Sequence, residues 1–437
     1  MIVSPLRPGG RASARGERVV AALDVGSSKV ACIIARLKPG TRPEVLGVGH
    51  KLCVGVRQGT VAQMTATEQS IGAVVEQAER AAEAQVQSVY VNFACPDLGA
   101  QPLEATLELG GYPVEPSDLE QLHDLACARA ADDASVLHAL PAFYCIDGKT
   151  VVQDPRHFHA RSVGVSALAL HCETAPLRNL DTSIRRAHLD VSAVVAGPVA
   201  TGMGCLLDEE RDAGVALIEM GAGLTTVSVY ARGALVGVEV LPAGGFDVVN
   251  ELAVRLNTKR LHAERLLCLH GAVVATHADS RNMLAIGPRQ AGDDRSMAHL
   301  SRLELTQLIR QPVLRLFEQA DAALERLGFW RSGGRQLVLT GGLAQLQGLE
   351  PFAANIFQRD PRAAATRRAG LLVRVGAPVG LDGLPPALSG PAFATLAGLV
   401  RFASRPPVDI WRERPANMRV AAQGSWGKML SILRARL

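Results

Sequence analysis

Two segments of the sequence repeat one pattern, and this repeat constrains the fold more than any other feature. Residues 20–37 read VAALDVGSSKVACIIARL, and residues 214–245 read GVALIEMGAGLTTVSVYARGALVGVEVLPAGG. Each segment has an apolar strand, an acidic residue, a turn of small residues and a second apolar strand. Two such units in one chain predict a duplicated α/β architecture with a cleft between its halves.

The composition suits a layered fold of this kind. Of the 437 residues, 48% are hydrophobic but only 4% are aromatic, so the cores must consist mainly of Val, Leu, Ile and Ala. No uncharged apolar run approaches the roughly 18 residues of a membrane-spanning helix. The eight cysteines include no C-x-x-C pair, which is typical of reduced thiols in a cytosolic protein rather than of disulfides or a zinc site.

Positive charge is concentrated at the two ends of the chain. Residues 401–437 have a net charge of +6 and residues 1–18 one of +3, which leaves about −5 of the total +4 for the body between them. This distribution predicts contact with an anionic surface at the termini rather than a nucleic-acid groove. Residues 1–18 have arginines but no apolar stretch of a signal peptide, so we expect a disordered leader.

Local patterns predict several elements. We expect a helix over Thr65–Gln85 that begins with a capping box of Thr65 and Glu68. A long amphipathic helix is expected near 303–327, with Pro312 kinking or splitting it. Apolar runs between turn residues predict strands at 19–25, 29–37, 44–49 and 88–94, a strand, double-glycine turn and helix within 336–349, and a linker at 402–424.

Three of the turns that follow apolar strands have residues suited to a nucleotide. In DVGSS, residues 24–28, backbone N–H groups and serine hydroxyls can surround phosphate oxygens, and Asp24 can hold Mg²⁺ through water. EMGAGLTT, residues 219–226, is a second such turn. TGGL, residues 340–343, is a third, whose glycines allow close approach of a base or ribose. The order predicts two phosphate loops and an adenosine-side loop; three unrelated structural turns are the alternative.

These turns and the segments around them resemble a known family. Their order is similar to that of the actin/Hsp70/sugar-kinase ATPases, and the flanking sequence resembles the FtsA family of actin-like division proteins. ALDVGSSKV resembles the first phosphate motif of that family, and LVLTGGLAQLQGL resembles its adenosine motif. HALPAFYCIDG with VVQDPRHFHARSVGVSALALH, and AERLLCLHG, resemble further family segments. The resemblance spans about residues 18–402 and the tail.

The resemblance implies an α/β fold: a duplicated actin-like (ribonuclease H-like) ATPase fold with inserted subdomains 1C and 2B and a C-terminal amphipathic helix. The implied divisions are a leader at 1–18, subdomain 1A at 19–85 and 171–205 with a return at 377–402, subdomain 1C at 86–170, subdomain 2A at 206–245 and 331–376, subdomain 2B at 246–330, a linker at 403–424 and the helix at 425–437.

The resemblance also implies that ATP and Mg²⁺ are cofactors, with Asp24 holding the metal through water. The implied nucleotide-binding residues are Asp24, Gly26, Ser27, Ser28, Lys29, Gly221, Ala222, Gly223, Leu224, Thr225, Gly244, Gly245, Glu264, Gly341, Gly342 and Leu343.

The second phosphate turn departs from the family pattern, which usually reads D-I-G-G-G-T-x-D. Glu219 replaces its first aspartate, Leu224 its threonine and Thr226 its second aspartate. In the A-E-x-x-K stretch near the base, Glu264 is kept but Leu267 replaces the lysine. We therefore expect ATP binding with slow hydrolysis at most and treat Glu219 as the candidate catalytic residue. A vestigial pocket is the alternative.

The last thirteen residues, SWGKMLSILRARL, form an amphipathic helix on a helical wheel. Its apolar residues span about 160° of the wheel, with basic residues beside them. Such a helix gains apolar burial and electrostatic attraction on an anionic membrane; the alternative is a helix docked on its own domain. The residues assigned to membrane contact are Trp426, Lys428, Met429, Leu430, Ile432, Leu433, Arg434 and Leu437.

Partners follow from the resemblance. In FtsA, subdomain 2B receives the C-terminal peptide of the tubulin-like FtsZ, which makes Arg289 and Arg302 the candidates here; ordinary solvated arginines are the alternative. Other division proteins are expected on 1C, and self-association into actin-like filaments would multiply weak anchors. The implied location is the division site, peripheral to the cytoplasmic side of the bacterial inner membrane.

Two other functions remain open at this point. An actin-fold ATPase or phosphotransferase would need a well-placed aspartate as base, whereas the sequence has Glu219 and Thr226 there. An adaptor in pilus assembly shares the fold, but the 1C-type segment and the tail fit FtsA better. His138, His157, His159 and His171 lack a second ligand set with metal spacing and are interpreted as surface or packing residues.

Overall fold

The computed structural model describes residues 16–130, 134–287, 298–359, 368 and 370–411. Its strands are β1 (Arg18–Val25), β2 (Lys29–Leu37), β3 (Glu44–Leu52), β4 (Val56–Arg57), β5 (Thr60–Val61), β6 (Ser88–Phe93), β7 (Gly99–Glu108), β8 (Ser135–Ile146), β9 (Thr150–Val152), β10 (Ser162–Cys172), β11 (Asp190–Ala196), β12 (Val215–Met220), β13 (Thr225–Ala231), β14 (Ala234–Leu241), β15 (Met283–Ile286), β16 (Ala298–Ser301), β17 (Gln336–Thr340) and β18 (Leu372–Val375). Its α-helices are α1 (Met64–Ala82), α2 (Pro116–Cys127), α3 (Thr174–Arg186), α4 (Gly197–Cys205), α5 (Asp208–Ala213), α6 (Gly245–Arg255), α7 (Arg260–His270), α8 (Arg302–Arg326), α9 (Leu349–Phe357) and α10 (Ala394–Ser404).

The first half is built on a five-stranded sheet in the order β11-β6-β1-β2-β3. β1 and β2 form an antiparallel hairpin that turns between Val25 and Val30, and β6 runs parallel to β1. Both hairpin strands are almost wholly buried because helices pack on the sheet, which explains why they read as continuous apolar runs.

The second half repeats this arrangement with a sheet in the order β14-β13-β12-β17-β18. β12 and β13 form an antiparallel hairpin whose turn lies between Met220 and Thr225, and β17 runs parallel to β12. The two glycine turns of the repeat therefore occupy equivalent places in the two halves. The predicted duplication is confirmed.

A separate sheet in the order β7-β10-β8-β9, with α2 against it, is inserted into the first half. It has its own core around Leu103, Leu122 and Val163. The expected start of this inserted unit at residue 86 is wrong, because β6 pairs with β1 and β11 in the first sheet. Sheet membership begins the inserted unit at Gly99.

Two helix predictions are corrected. Helix α1 begins at Met64 with Gln63 as its N-cap and without a side-chain cap, so Thr65 and Glu68 form no capping box. Helix α8 continues through Pro312 as one element of 25 residues, and its N-terminus has the capping box of Ser301 and Glu304. Pro312 neither splits nor ends this helix, so the expected split is wrong.

Helices α4 and α10 of the first half pack closely on each other, next to the passages into the second half. A Cβ on Gly398 would lie 1.7 Å from the carbonyl oxygen of Ala200, and one on Gly204 would lie 1.8 Å from that of Ala394. The helices can approach this closely only because both positions are glycine. Next to this contact, Val379 N–H donates to Gly204 O at 2.8 Å, so the chain's two passages between the halves lie side by side.

Within the described ranges, no helix is long and apolar enough to cross a membrane.

Candidate nucleotide site

A cavity of about 510 Å³ lies between the two sheets. Its wall combines the three glycine turns with residues from α4, α6, α7 and the segment before α10. The carboxyl ends of β1, β12 and β17 all reach this cavity, as expected for a ligand site of an α/β fold.

The first turn is fixed by bonds from outside it. Val25 N–H donates to Asn92 Oδ1 at 3.1 Å, and Gly59 N–H donates to Ser27 Oγ at 3.0 Å. Gly26 N–H closes the turn on Lys29 O at 2.9 Å. The geometry of the first turn therefore depends on β6 and on the β4–β5 hairpin as well as on its own residues.

The second turn packs tightly on the start of α6. Gly221 N–H donates to Leu224 O at 2.8 Å, and Phe246 N–H donates to Ala222 O at 2.7 Å. A Cβ on Gly244 would lie 2.6 Å from Gly221 O, so this glycine is needed for packing behind the turn.

The third turn has one strained position and one open position. Gly341 has φ +89°, and a Cβ there would lie 2.4 Å from Met220 O, so only glycine fits. A Cβ on Gly342 would meet nothing within 4 Å, although this residue lines the cavity. The turn thus presents bare backbone to the cavity, as an adenosine-side loop requires.

Two carboxyl groups face the same cavity. Asp24 at the end of β1 is 6% exposed, and burial raises its pKa, partly offset by the Lys29 ammonium and the Asn92 amide. Glu219 on β12 is half-buried as a whole residue, but its carboxyl group is enclosed by protein. Burial therefore raises the pKa of Glu219 as well. The Asp24 charge adds to that increase.

Hydroxyl groups hold both oxygens of Glu219. Thr201 Oγ1 on α4 donates to Oε2 at 2.7 Å, and Thr395 Oγ1 on α10 donates to Oε1 at 2.6 Å. The carboxyl group of Glu219, in the second half, is thus bound to two helices of the first half. Because both oxygens are hydrogen-bonded, this carboxyl group is not free to move toward a water molecule and act as a general base.

The Lys29 ammonium group also has partners within the chain. Its Nζ donates to Ala392 O at 2.6 Å and lies 4.9 Å from the centre of the Phe393 ring. The ammonium therefore sits at the cavity wall, held toward the segment before α10, rather than pointing into solvent.

The structure places most of the predicted site residues together. Thr225 and Gly244 are the exceptions: Thr225 Oγ1 donates to Ala243 O at 2.9 Å, and neither residue lines the cavity. The residues that depart from the family pattern, Leu224, Thr226 and Leu267, are part of the wall. The predicted residues along the wall are Asp24, Gly26, Ser27, Ser28, Lys29, Glu219, Gly221, Ala222, Gly223, Leu224, Gly245, Glu264, Gly341, Gly342 and Leu343.

Sequence reasoning missed the residues that position these groups. Asn92, Thr201 and Thr395 come from three distant elements, and no motif marked them. Only the pairing of β6 with β1 and of α4 with α10 brings them to the cavity. Cys268, an exposed thiol on α7, also lines the wall.

The other predicted sites have different outcomes. Arg302 lies at the start of α8, where its guanidinium contacts Asp279 at 3.3 Å and Gln347, so it has partners within the chain. Arg289 and the whole tail, with its predicted membrane residues at 425–437, lie outside the described residues. No group of three or more His, Cys, Asp or Glu side chains suited to a metal occurs among the residues with described placement.

Comparison with known proteins decides the family. A model of the cell division protein FtsA matches residues 216–398, and one of the SHS2 domain inserted in FtsA matches residues 98–170. The cell division protein FtsA of Agrobacterium fabrum is 35% identical over 409 residues, which cover 91% of this chain and 90% of that protein.

The chain belongs to the FtsA family.

Other FtsA proteins extend the relationship across the whole length. That of Rhizobium meliloti is 34% identical over 428 residues, covering 94% of each chain, and that of Escherichia coli is 25% identical over 428 residues, covering 96% of this chain and 98% of its own. The SHS2 match from residue 98 agrees with the start of the inserted sheet at Gly99.

Solved structures support the actin-like fold of this FtsA-family chain. The PilM–PilN type IV pilus biogenesis complex has a chain that superposes with a TM-score of 0.61 at 17% identity, covering 89% of this chain and 99% of its own. MreB5 of Spiroplasma citri bound to ADP superposes with a TM-score of 0.51 at 12% identity, covering 88% and 95%. At these identities the likeness concerns the fold alone.

Proposed function

We propose that this FtsA-family chain binds ATP with Mg²⁺ in the cavity between its halves, self-associates, and tethers FtsZ filaments to the cytoplasmic side of the bacterial inner membrane at the division site. The observation that carries the nucleotide part is the convergence of three glycine turns on one cavity. The membrane and FtsZ parts are supported by the family and by the tail sequence.

The residues of the wall fit a nucleotide in size and chemistry. Backbone N–H groups and the hydroxyls of the first turn suit phosphate oxygens, and bare backbone at Gly342 leaves space beside the third turn. Two structures of a fold neighbour, MreB5 of Spiroplasma citri, are bound to ADP and to AMPPNP. We assign the phosphates to the first two turns and the adenosine to the third.

For Mg²⁺ the fit rests on Asp24. Magnesium is usually bound by one or two carboxylates plus water and phosphate oxygens rather than by a full protein cage, so the lack of a three-residue metal cluster among the described side chains is compatible with it. The bound ion would neutralise phosphate charge next to two carboxyl groups.

Hydrolysis is expected to be slow. Both oxygens of Glu219 accept from threonine hydroxyls, and Thr226 replaces the second carboxylate of the turn, so no side chain is free in this turn to take a proton from water. We infer that the cavity serves binding more than turnover.

Nucleotide binding can be tested with Gly342→Val. Gly342 lines the cavity, and a Cβ there would meet nothing within 4 Å. We therefore expect Gly342→Val to lose binding of a fluorescent ATP analogue while its unfolding midpoint stays close to that of the wild type. Gly72→Ala on α1 is the matched control, because a Cβ there also meets nothing within 4 Å and lies far from the cavity. Equal binding by both variants would contradict the assignment.

Tethering can be tested by sedimentation of FtsZ with anionic vesicles and Mg-ATP. We expect FtsZ in the vesicle pellet only when this protein is present, and loss of pelleting for a chain ending at Gly424 or with Leu433→Glu. Gln423→Glu introduces the same charge in the linker and should leave pelleting intact. If this protein pellets alone and FtsZ stays behind, the FtsZ part is wrong and a pilus-type adaptor is favoured. Substantial substrate-dependent ATP turnover would instead favour an actin-fold enzyme.

A further inference from the structure

The segment that follows α10 is attached to the inserted unit. Sequence reasoning treated residues 403–424 as a linker, yet Ile410 is only 4% exposed and packs in the core of the inserted sheet with Trp411 beside it. Val408, two residues earlier, is 69% exposed. One side of the segment is therefore buried and the other faces solvent.

The attachment resembles the addition of a short strand to a sheet edge. Ile410 N–H donates to Ala139 O at 2.9 Å, and Ala139 N–H donates to Asp409 Oδ1 at 2.9 Å. Among the described strands, β9 covers only residues 144–146 of this edge of β8, so residue 139 lies on the part left open. Main-chain bonds at an open edge with a side chain in the core are the usual features of strand addition.

Asp409 is the centre of the contact. Its Oδ2 lies 2.7 Å from His138 Nδ1, and its Oδ1 also accepts from Trp411 N–H at 3.0 Å. Cys127 Sγ, on α2, donates to Ile410 O at 3.2 Å. Two neighbouring elements of the inserted unit, β8 and α2, therefore hold three consecutive residues.

His138 links this contact to the first half. Ala196 N–H donates to His138 Nε2 at 3.1 Å, so that nitrogen carries no proton and Nδ1 is the donor to Asp409. Ala196 is the N-cap of α4. The same helix lines the cavity at Gly197 and holds Glu219 through Thr201. Hydrogen bonds through His138, together with helix α4, thus connect the cavity wall to Asp409.

We propose that residues 409–411 are a docking strand that fastens the root of the C-terminal segment to the inserted unit, and that His138 couples this docking to nucleotide occupancy of the cavity through α4. Docked residues 409–411 cannot act as a free linker between α10 and the tail. The coupling half rests on the proposed nucleotide function, whereas the docking half does not.

Docking is tested by hydrogen–deuterium exchange of the full chain without nucleotide. Asp409→Ala should speed exchange of the Ile410 amide about tenfold, because it removes two hydrogen bonds from the segment to β8 and one within the segment. Val408→Ala changes the exposed neighbour and should leave that exchange unchanged. Equally fast exchange in the wild type and both variants would overturn docking. A concentration-dependent dimer with protected Ile410 would overturn docking within one chain in favour of exchange between copies.

Coupling is tested with two substitutions of His138, each of which keeps the hydrogen bond of one ring nitrogen and removes that of the other. In His138→Asn the amide N–H can replace Nδ1 toward Asp409, but nothing reaches Ala196. In His138→Gln the amide oxygen can replace Nε2 toward Ala196, while the bond to Asp409 is lost. We expect Mg-ATP to change exchange at Ile410 about fivefold or more in the wild type. In His138→Asn, residues 409–411 should stay docked, but Mg-ATP should no longer change exchange at Ile410. In His138→Gln, these residues should be undocked even without nucleotide.

Nucleotide binding is measured in the same samples with a fluorescent ATP analogue, and unfolding midpoints check that both variants are folded. Binding of the ATP analogue with unchanged exchange at Ile410 in the wild type would overturn the coupling.

If the wild type binds no ATP analogue at all, both the proposed nucleotide function and the coupling are overturned. The Asp409 and Val408 variants would still decide the docking. If His138→Asn is unfolded, a response of the wild type that persists in Gly342→Val would overturn the coupling, since that variant is designed to lose nucleotide.

Discussion

Thr395 Oγ1 donates a hydrogen bond to Glu219 Oε1 at 2.6 Å, across 176 residues of sequence. The bond joins α10, a helix of the first half, to the carboxyl group beside the second glycine turn in the other half. It fixes a carboxyl group at the cavity wall, and it forms only when the two halves are assembled.

Thr395→Val should destabilise the protein. Valine has the shape of threonine but leaves Glu219 Oε1 without its donor, and an unsatisfied buried polar group costs about 1–3 kcal/mol. Chemical unfolding without nucleotide measures the loss of unfolding free energy. Thr41→Val is the control, because Thr41 is exposed and bonds only to nearby Lys38, and it should change stability by less than about 0.5 kcal/mol. Equal effects would contradict the importance of the Glu219 contact.

Stability should fall with rising pH because of Glu219. Burial raises its pKa above the ordinary 4.5, so the folded state holds a proton that the unfolded state has already lost. Its contribution is fully present below pH 4.5 and is lost as the pH rises through the raised pKa, with a slope of at most about 1.4 kcal/mol per pH unit. Glu219→Gln cannot ionise, so its stability relative to the wild type should increase with pH in that window.

The measurement is the unfolding free energy from acid to neutral pH, without nucleotide and divalent cations. Asp24, whose pKa burial also raises, is present in both proteins and interacts with Glu219, so the difference reports the titration of this pair of carboxyl groups. A difference between wild type and variant that is constant with pH would show that Glu219 has the same pKa folded and unfolded.

Gly398→Ala should be strongly destabilising. The new methyl group would overlap Ala200 O in the contact between α10 and α4, and overpacking of this kind typically costs about 1–3 kcal/mol or more. Gly72→Ala on α1 makes the same chemical change where nothing lies within 4 Å, and it should stabilise the protein by about 0.5–1 kcal/mol. Thermal unfolding of both variants would reveal the opposite signs, and two similar shifts would contradict the close helix contact.

Cys268 offers a direct probe of the cavity. It is the exposed cysteine, whereas Cys145 is partly buried and the other six are buried. Burial and the nearby Glu264 charge raise the pKa of its thiol, so alkylation by iodoacetamide should be slow at pH 7 and accelerate toward pH 9. Mg-ATP should slow labelling in proportion to the fraction bound. Cys268→Ser identifies the labelled site, and labelling unaffected by saturating nucleotide would contradict the assigned adenosine side.

The sequence predicted those parts of the fold that depend on local pattern. The hairpins around the first and second glycine turns were recognisable because each consists of two strands and a turn that are adjacent in sequence. Both turns lie at the cavity. Residues 86–93 were misassigned because an apolar strand carries no mark of the sheet that it joins. The expected capping box at Thr65 failed because the helix started one residue earlier, at Met64.

The residues that hold the site together could not be predicted in this way. Asn92 and Thr395 reach the cavity through strand pairing and helix packing between distant segments, and such contacts depend on tertiary structure rather than on a motif. Asp409 was assigned to a linker because its neighbours are prolines and charged residues. Its burial follows from the open edge of β8, which no nearby residue reveals.

Both ends of the described body belong to the same half. Arg18 at the start of β1 donates to Ala403 O near the end of α10, and the chain enters and leaves the second half through two adjacent passages near Gly204 and Val379. A mechanical load applied at either end would therefore be borne by β1, α10 and the inserted unit. The second half is joined to the first through these two passages and through the Glu219 contacts, and it lies outside the path of that force.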